Sequence, residues 1–227
     1  MRLPPKNDTI KMMLDGILKN VPESDRTTAG ELRTIEAVYD QAHETLTKAI
    51  SAGELTPAGL VAEARKVLRK AKVDLKPYED RLTKLAAKHA EGRAAAIAGE
   101  ALPRTPETIA LEREVRDRLM AITDPVERNR LFLQAIERRD RTFVSAVDNA
   151  PAMFPLIDAE TAQTGRELRL LASPEAESLG EMYVEQHRLA LTMAYVKAAL
   201  DGIAIEGGFT LASVDDVPAV EQTLAVH

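Results

Sequence analysis

Apolar residues recur at alternating steps of three and four along residues 32–85, and this spacing constrains the fold more than any other feature of the chain. The pattern places side chains on one face of an α-helix and is typical of coiled coils. It stops at residues 51–53 and restarts after Thr56 and Pro57, a helix N-cap followed by a proline at the first helical position. The spacing therefore predicts an antiparallel hairpin of two long helices over residues 24–100.

The composition agrees with a helical protein. The 227 residues include 35 alanines, no tryptophan and only 4% aromatic residues, so helix formers dominate over strand formers. The chain has no cysteine, which excludes disulfides, thiolate nucleophiles and cysteine-ligated metal centres. We therefore predict an all-α fold: a long, coiled-coil-like antiparallel helical hairpin, then a compact helical bundle, then a flexible acidic C-terminal tail.

Pro77 lies inside the apolar pattern of the second hairpin helix. Proline lacks the backbone N–H that an α-helix needs, and its ring clashes with the preceding turn. We therefore expect a kink or a short break over residues 73–77. The apolar pattern stays in phase across the proline, which favours two nearly collinear segments over a domain boundary.

Prolines and charge divide the rest of the chain. Pro103 and Pro106 mark residues 101–106 as a linker, and the helical pattern resumes as a bundle over residues 107–203. The last helix of this bundle is apolar on two faces, so we predict that it forms the bundle core. Residues 204–227 hold four acidic residues and no Lys or Arg, and we predict a flexible tail there.

The first 23 residues contain a short amphipathic helix. Its apolar positions follow the i, i+3, i+4, i+7, i+8 pattern of one helix face. This face either binds a partner or a membrane surface or packs on its own chain, and nearby charges of both signs favour packing on its own chain. The candidate partner-binding residues are Ile10, Met13, Leu14, Ile17 and Leu18.

The sequence shows no recognisable targeting or membrane segment. The N-terminus lacks the unbroken apolar stretch of a secretory signal, and no run approaches eighteen uninterrupted apolar residues. We expect a cytoplasmic protein, or a component of a particle assembled in the cytoplasm, that is neither secreted nor transmembrane.

Motifs of known catalytic chemistry are missing from the sequence. There is no Gly-x-Ser-x-Gly nucleophile, no glycine-rich phosphate loop before a helix and no pair of Glu-x-x-His motifs. The nearest group of metal-ligand types, Asp40 and His43 with Glu36 and Glu44, has no second half and is typical of a solvated helix face. We therefore predict no catalytic residue, no metal site and no cofactor.

The net charge of −6 is distributed unevenly along the chain. Residues 1–104 hold 18 basic and 15 acidic residues, a net charge of +3, whereas residues 105–227 hold 12 basic and 21 acidic residues, a net charge of −9. The opposite signs suggest that the hairpin of one copy binds the acidic half of another copy or of a partner. The alternative is that hairpin and bundle pack into one elongated monomer.

Four basic residues form a row on one face of the second hairpin helix. Arg65, Arg69, Lys72 and Lys76 recur at steps of four, three and four, about 120° from the apolar face. Such a row can follow the phosphates of a nucleic acid, but only one tyrosine lies nearby and no known nucleic-acid-binding motif accompanies it. We keep the row as a candidate phosphate-binding site without favouring nucleic acid as the partner.

The sequence favours a non-enzymatic structural, adaptor or assembly protein that acts through helical protein–protein interfaces. We expect self-association or a protein partner, and a larger virus-like or phage-type particle is one setting that fits. The alternative is a nucleic-acid-binding or regulatory protein that uses the basic row. A third hypothesis is an enzyme whose site is assembled from scattered carboxylates without a recognisable motif.

Overall fold

The computed structural model describes residues 3, 8–21, 26–98, 102–151, 153 and 155–215. The described residues form eight α-helices and no β-strand, which confirms the predicted all-α fold. The helices are α1 (Asp8–Lys19), α2 (Arg26–Ala52), α3 (Pro57–Ala98), α4 (Pro106–Ala121), α5 (Pro125–Glu137), α6 (Arg141–Asp148), α7 (Ala159–Ala172) and α8 (Ala176–Glu206).

The helices belong to two compact units. Unit 1 contains residues 1–86 and 183–227, and unit 2 contains residues 87–182, so the boundaries fall inside α3 and α8. This division differs from the predicted one, which placed the boundary at the linker, residues 101–106. A pair of prolines marks the end of a helix, but it does not show where one hydrophobic core gives way to another.

The core of unit 1 combines the hairpin helices α2 and α3 with α8. Each of the three helices buries one apolar face in a shared cluster, as amphipathic helices do when they pack together. Residues of the predicted apolar patterns, such as Leu32, Ile35 and Leu75, lie in this cluster. The largest buried contributions from the three helices are Ile35, Leu46, Leu68, Leu75, Val196, Leu200 and Ile203.

The position of α8 differs from the prediction. We expected this helix to form the core of a bundle over residues 107–203, but its residues 189–204 pack in the core of unit 1. The apolar pattern of α8 shows that the helix is buried. It does not show which of the earlier helices cover it, because that choice depends on contacts between residues far apart in the chain.

The predicted tail also differs from the structure in its first half. α8 continues to Glu206, and the C-terminal segment that follows it, residues 207–215, buries Phe209 and Val214 in the core of unit 1. Burying these two side chains contributes several kcal/mol, about 1.5–3 for each, toward the cost of ordering the segment. The rest of the predicted tail, residues 216–227, lies outside the described residues.

The helix α3 runs through Pro77 without a break, so the short break predicted over residues 73–77 is not observed. Proline removes the hydrogen-bond donor for the carbonyl of Val73, and this residue is 69% exposed, so water has access to that turn. The neighbouring Leu75 is buried and anchors the same turn in the core of unit 1.

Unit 2 has a smaller apolar core, formed by α4, α5, α6 and the segment that precedes α7. The helix α6 contacts α4 and α5, and α5 contacts α7. The approach of α7 to α5 requires a glycine, because a Cβ atom at Gly165 would lie 2.5 Å from Cε1 of Phe132. The side chains of Asp124, Asp140 and Asp158 cap α5, α6 and α7 by accepting backbone hydrogen bonds. The buried apolar residues are Leu119, Phe132, Ala135, Val144, Val147 and Leu156.

Candidate functional site

The candidate partner-binding face of α1 is divided between the core and the solvent. Ile17 and Leu18 pack against the core of unit 1, whereas Met13 is 44% exposed. The side chains of Ile10 and Leu14 lie outside the described ones. Part of the amphipathic face therefore stabilises the chain's own fold, and partner binding by α1 stays a prediction.

The predicted basic row on α3 is covered by the C-terminal segment. Arg65 Nη1 donates a hydrogen bond to the carbonyl of Ser213 at 3.2 Å, and its guanidinium carbon lies 4.4 Å from the centroid of the Phe209 ring. Arg69 Nε donates to the carbonyl of Val214 at 3.0 Å. The row thus binds backbone carbonyls and an aromatic face of the same chain.

The two lysines of the row have different partners. Lys72 Nζ lies 2.5 Å from Oδ2 of Asp215 in the C-terminal segment. Lys76 Nζ lies 3.0 Å from Asp80 and 3.6 Å from Glu79 within α3, and the hydrogen bond and the negative charge of Asp80 raise the pKa of Lys76. Three of the four predicted residues therefore hold the C-terminal segment, and the fourth stands apart from it.

A tight turn at the end of α8 places the C-terminal segment on the basic row. Gly208 adopts a left-handed backbone with φ 77°, and the N–H of Phe209 donates to the carbonyl of Ala204 at 3.1 Å, as in a Schellman motif. Asp201 Oδ1 then accepts a hydrogen bond from the N–H of Leu211 at 2.8 Å. The sequence contains a signal for this turn, a Gly-Gly pair followed by an aromatic residue, inside the segment predicted as a tail.

The two units do not carry the opposite charges of the two halves of the sequence. Unit 1 holds 17 basic and 19 acidic residues, a net charge of −2, and unit 2 holds 13 basic and 17 acidic residues, a net charge of −4. The acidic C-terminal residues belong to the same unit as the basic row, so much of the asymmetry is neutralised within unit 1. The hypothesis of attraction between opposite halves of two copies loses this support.

A buried carboxylate lies at the centre of a polar network in unit 2, and the sequence analysis missed it. Glu112 is only 2% exposed, and its Oε1 accepts hydrogen bonds from Ser145 Oγ at 2.5 Å and Asn149 Nδ2 at 3.0 Å. The Nη1 atoms of Arg116 and Arg104 lie 3.5 and 3.9 Å from its Oε2. The only signal in the sequence is that Glu112 stands three and seven residues before the apolar positions 115 and 119.

The surroundings of Glu112 keep it ionised. Burial raises the pKa of this carboxyl, but the hydrogen bonds from Ser145 and Asn149 and the charges of Arg104 and Arg116 outweigh burial and hold the pKa below the usual glutamate range. At neutral pH the group has no proton to donate, and its acceptor positions are used by neighbours on α4 and α6. The geometry supports a structural role for this carboxylate rather than a role as a catalytic acid.

Unit 2 exposes large apolar side chains on the outer faces of two helices. Leu168 and Leu171 are separated by one turn of α7, and Leu171 is 75% exposed. Ile109 and Met120 are separated by eleven residues of α4, which returns the helix to within about 20° of the same face. Each helix therefore presents a pair of apolar side chains to the solvent.

In the part of the chain that the structure describes, no group of three or more His, Asp or Glu side chains is arranged to hold a metal ion. None of its helices combines the length and the apolar character needed to cross a bilayer.

Comparison with known proteins provides no relative for this chain. No protein-family model matches it, and neither the curated proteins nor the solved structures contain a significant match.

Proposed function

We propose that the protein is a non-enzymatic adaptor or assembly protein that binds a second copy or another protein through the exposed helical faces of unit 2. The observation that carries this proposal is the pair of apolar side chains on α7, Leu168 and Leu171, together with the pair on α4, Ile109 and Met120. Full burial of one such side chain in an interface contributes about 1.5–3 kcal/mol. A few buried side chains carry most of the binding energy of a protein interface, and the two pairs provide apolar side chains that a partner can bury.

The helix α4 also offers a polar border beside its apolar pair. A shallow groove on this helix is lined by charged side chains, among which Arg118 and Glu114 form an ion pair at 2.5 Å, and by the small residues Ala110 and Ala121. Protein interfaces commonly surround a few apolar anchors with polar residues of this kind. A component of a virus-like or phage-type particle in the cytoplasm remains one setting for such a protein.

The contacts weigh against the two other hypotheses. Nucleic acid would have to displace the C-terminal segment from Arg65, Arg69 and Lys72, which already bind it. The buried carboxylate Glu112 of unit 2 is ionised and surrounded by donors from its own chain. The basic row is therefore not open to a nucleic acid, and Glu112 does not have the free, protonated carboxyl group that a catalytic acid needs.

Site-specific photo-crosslinking tests the proposal. A photoreactive phenylalanine analogue replaces Leu171 in the full chain, and the matched control carries it at Val73, a similarly exposed position of unit 1. Irradiation of the purified protein, alone and with extract of the source organism, is expected to give a discrete crosslinked protein from position 171 and none from position 73. Equal or absent crosslinking at both positions in both samples contradicts the proposal.

A further inference from the structure

Unit 2 contains a cavity of about 370 Å³ lined by the end of α3, the region of the α5–α6 turn, and the end of α7 with the residues that connect it to α8. This volume lies in the range of small-molecule binding sites. Part of the wall is apolar and suits the carbon skeleton of a small ligand. The apolar wall consists of Ala95, Ala96, Ile136, Val144, Ala172 and Pro174.

Three arginines line the other side of the cavity. Arg169 is buried and fixed, because its Nη1 donates to Asp148 Oδ2 at 2.7 Å. Arg139 and Arg141 are exposed, and neither forms an ion pair or a side-chain hydrogen bond with any residue that the structure describes. Two guanidinium groups at the mouth of a cavity are therefore available to an anion, which they bind in a bidentate manner.

A residue of the cavity lining, Ser173, has a buried hydroxyl without a partner. The Oγ atom of Ser173 is inaccessible to solvent and forms no hydrogen bond with a described residue. Buried polar groups in folded proteins are almost always hydrogen-bonded, so an unpaired one calls for an explanation. Because Ser173 lines the cavity, a rotation of its side chain would bring Oγ to a ligand oxygen there.

Two carboxylates also belong to the lining. Asp140 accepts a hydrogen bond from the N–H of Phe143 at 3.0 Å and so serves as the cap of α6. Glu175 is the other acidic residue of the lining, and it suits a ligand that also carries hydroxyl groups. Because Asp148 pairs with Arg169, the attraction for an anion comes from the guanidinium groups of Arg139 and Arg141 and not from a net positive charge of the cavity.

The backbone at Arg139 is a further sign that its side chain matters. The helix α5 ends in a Schellman-type turn, in which the N–H of Asp140 donates to the carbonyl of Ala135 at 2.8 Å. Arg139 occupies the left-handed position of this turn with φ 57°, where glycine is strain-free. A strained backbone at a cavity is typical of residues kept for function.

We propose that this cavity binds a small organic phosphate. Arg139 and Arg141 bind the phosphate oxygens, Arg169 with its partner Asp148 forms a fixed part of the wall, and Ser173 Oγ, once turned toward the cavity, hydrogen-bonds to the ligand. The apolar wall covers the carbon skeleton. This inference does not depend on the proposed adaptor function, because it concerns other residues of unit 2.

Calorimetric titration of the full chain with ribose 5-phosphate tests the proposal, with inorganic phosphate and ribose as the two partial ligands. We expect saturable binding of ribose 5-phosphate, weaker binding of inorganic phosphate and none of ribose. Arg141→Gln is expected to lower the affinity about tenfold or more, and Ser173→Ala severalfold. Arg138→Gln, an exposed neighbour that does not line the cavity, is expected to leave the affinity unchanged.

The variant Arg139→Gly distinguishes a role of Arg139 in ligand binding from a purely structural role. Glycine relieves the left-handed strain, so the variant is expected to have a higher Tm and at the same time a lower affinity for ribose 5-phosphate. A purely structural Arg139 would give the higher Tm with unchanged affinity. Absence of saturable binding to any phosphate, or equal affinities of the wild type, Arg139→Gly and Arg141→Gln, overturns the proposal.

Discussion

The ends of α8 in unit 1 and α5 in unit 2 form the same kind of turn with different residues. In both turns, the backbone N–H of a residue just past the helix donates to the carbonyl of the residue five positions earlier. The residue directly before this donor adopts a left-handed backbone. Unit 1 places Gly208 there and unit 2 places Arg139. The first turn serves packing, because it brings Phe209 into the core. The turn in unit 2 places the side chain of Arg139 in the lining of a cavity. The same backbone conformation therefore serves packing in unit 1 and a cavity in unit 2.

The two units also differ in what their arginines contact. In unit 1, Arg65 and Arg69 donate to carbonyls of the C-terminal segment, and Arg65 also faces the ring of Phe209. In unit 2, Arg139 and Arg141 line a cavity without a partner among the described residues. A row of cations in a sequence therefore does not identify a binding site. What matters is whether the fold itself supplies partners for the cations or leaves them to a ligand.

The largest expected effect is on unit 2. Glu112→Ala removes the buried acceptor of Ser145 and Asn149 and leaves Arg116 without its anion, so we expect unit 2 to lose about 3–4 kcal/mol of stability. Glu112→Gln keeps the shape of the side chain, so we expect it to lower the stability of unit 2 by less than Glu112→Ala does. Hydrogen exchange of the amides of α4 and α6 measures the loss for unit 2 separately from unit 1. Unchanged protection in the alanine variant contradicts the structural role of Glu112.

The next effect is on unit 1. Phe209→Ala removes a buried ring from the core and from Arg65, and we expect a loss of about 3 kcal/mol in the protection of α2 and α8 amides. Asp215→Asn is the control, because its ion pair with Lys72 is largely exposed and contributes less than about 0.5 kcal/mol. Equal effects of the two variants would mean that charge, rather than packing, holds the C-terminal segment on the basic row.

Acid affects unit 2 through Glu112, with a smaller effect than the alanine variant because the neutral acid still hydrogen-bonds. Its pKa is lower in the folded state than in the unfolded state. Its contribution is complete above about pH 4.3, the usual value, and is lost as the pH falls through the folded-state pKa. We expect amide protection in α4 and α6 to fall below about pH 4.3 and the fall to be shallower in Glu112→Gln. Identical pH profiles contradict this assignment.

The two turns give the smallest pair of effects, with opposite signs. Gly208→Ala forces an alanine into a left-handed backbone and is expected to destabilise unit 1 by about 1 kcal/mol. Arg139→Gly removes the same strain and is expected to stabilise unit 2 by about 1 kcal/mol. Chemical denaturation combined with hydrogen exchange resolves both changes. Changes of the same sign in both variants would show that the turns are not equivalent.

The helices themselves can be predicted from the sequence better than the way in which they pack on each other. The steps of three and four predict the hairpin helices, because the residues of one helix face are close in the chain. The assignment of α8 to unit 1 depends on which helix faces, far away in the chain, pack against it. The apolar pattern of α8 alone does not specify those faces. Of the kink or short break expected at Pro77, the break is not observed, because buried neighbours such as Leu75 hold that turn in the core of unit 1.

The candidate sites follow the same rule. The basic row on α3 is readable from spacing, but its partner is nearly 150 residues away along the chain. Glu112 has no motif, because its network joins α4 to α6 and only the fold brings Ser145 to it. The cavity of unit 2 is equally invisible in the sequence, since three separate stretches of the chain line it.

The central claim is that unit 1 supplies the partners of its basic row itself, whereas unit 2 leaves its arginines to a ligand. A titration of the ¹⁵N-labelled full chain with ribose 5-phosphate, followed through the arginine Nε–H resonances, tests both parts at once. We predict saturable shifts for Arg139 and Arg141 and none for Arg65 and Arg69. Shifts of Arg65 and Arg69 with unmoved Arg139 and Arg141, or equal shifts of all four, would contradict the account.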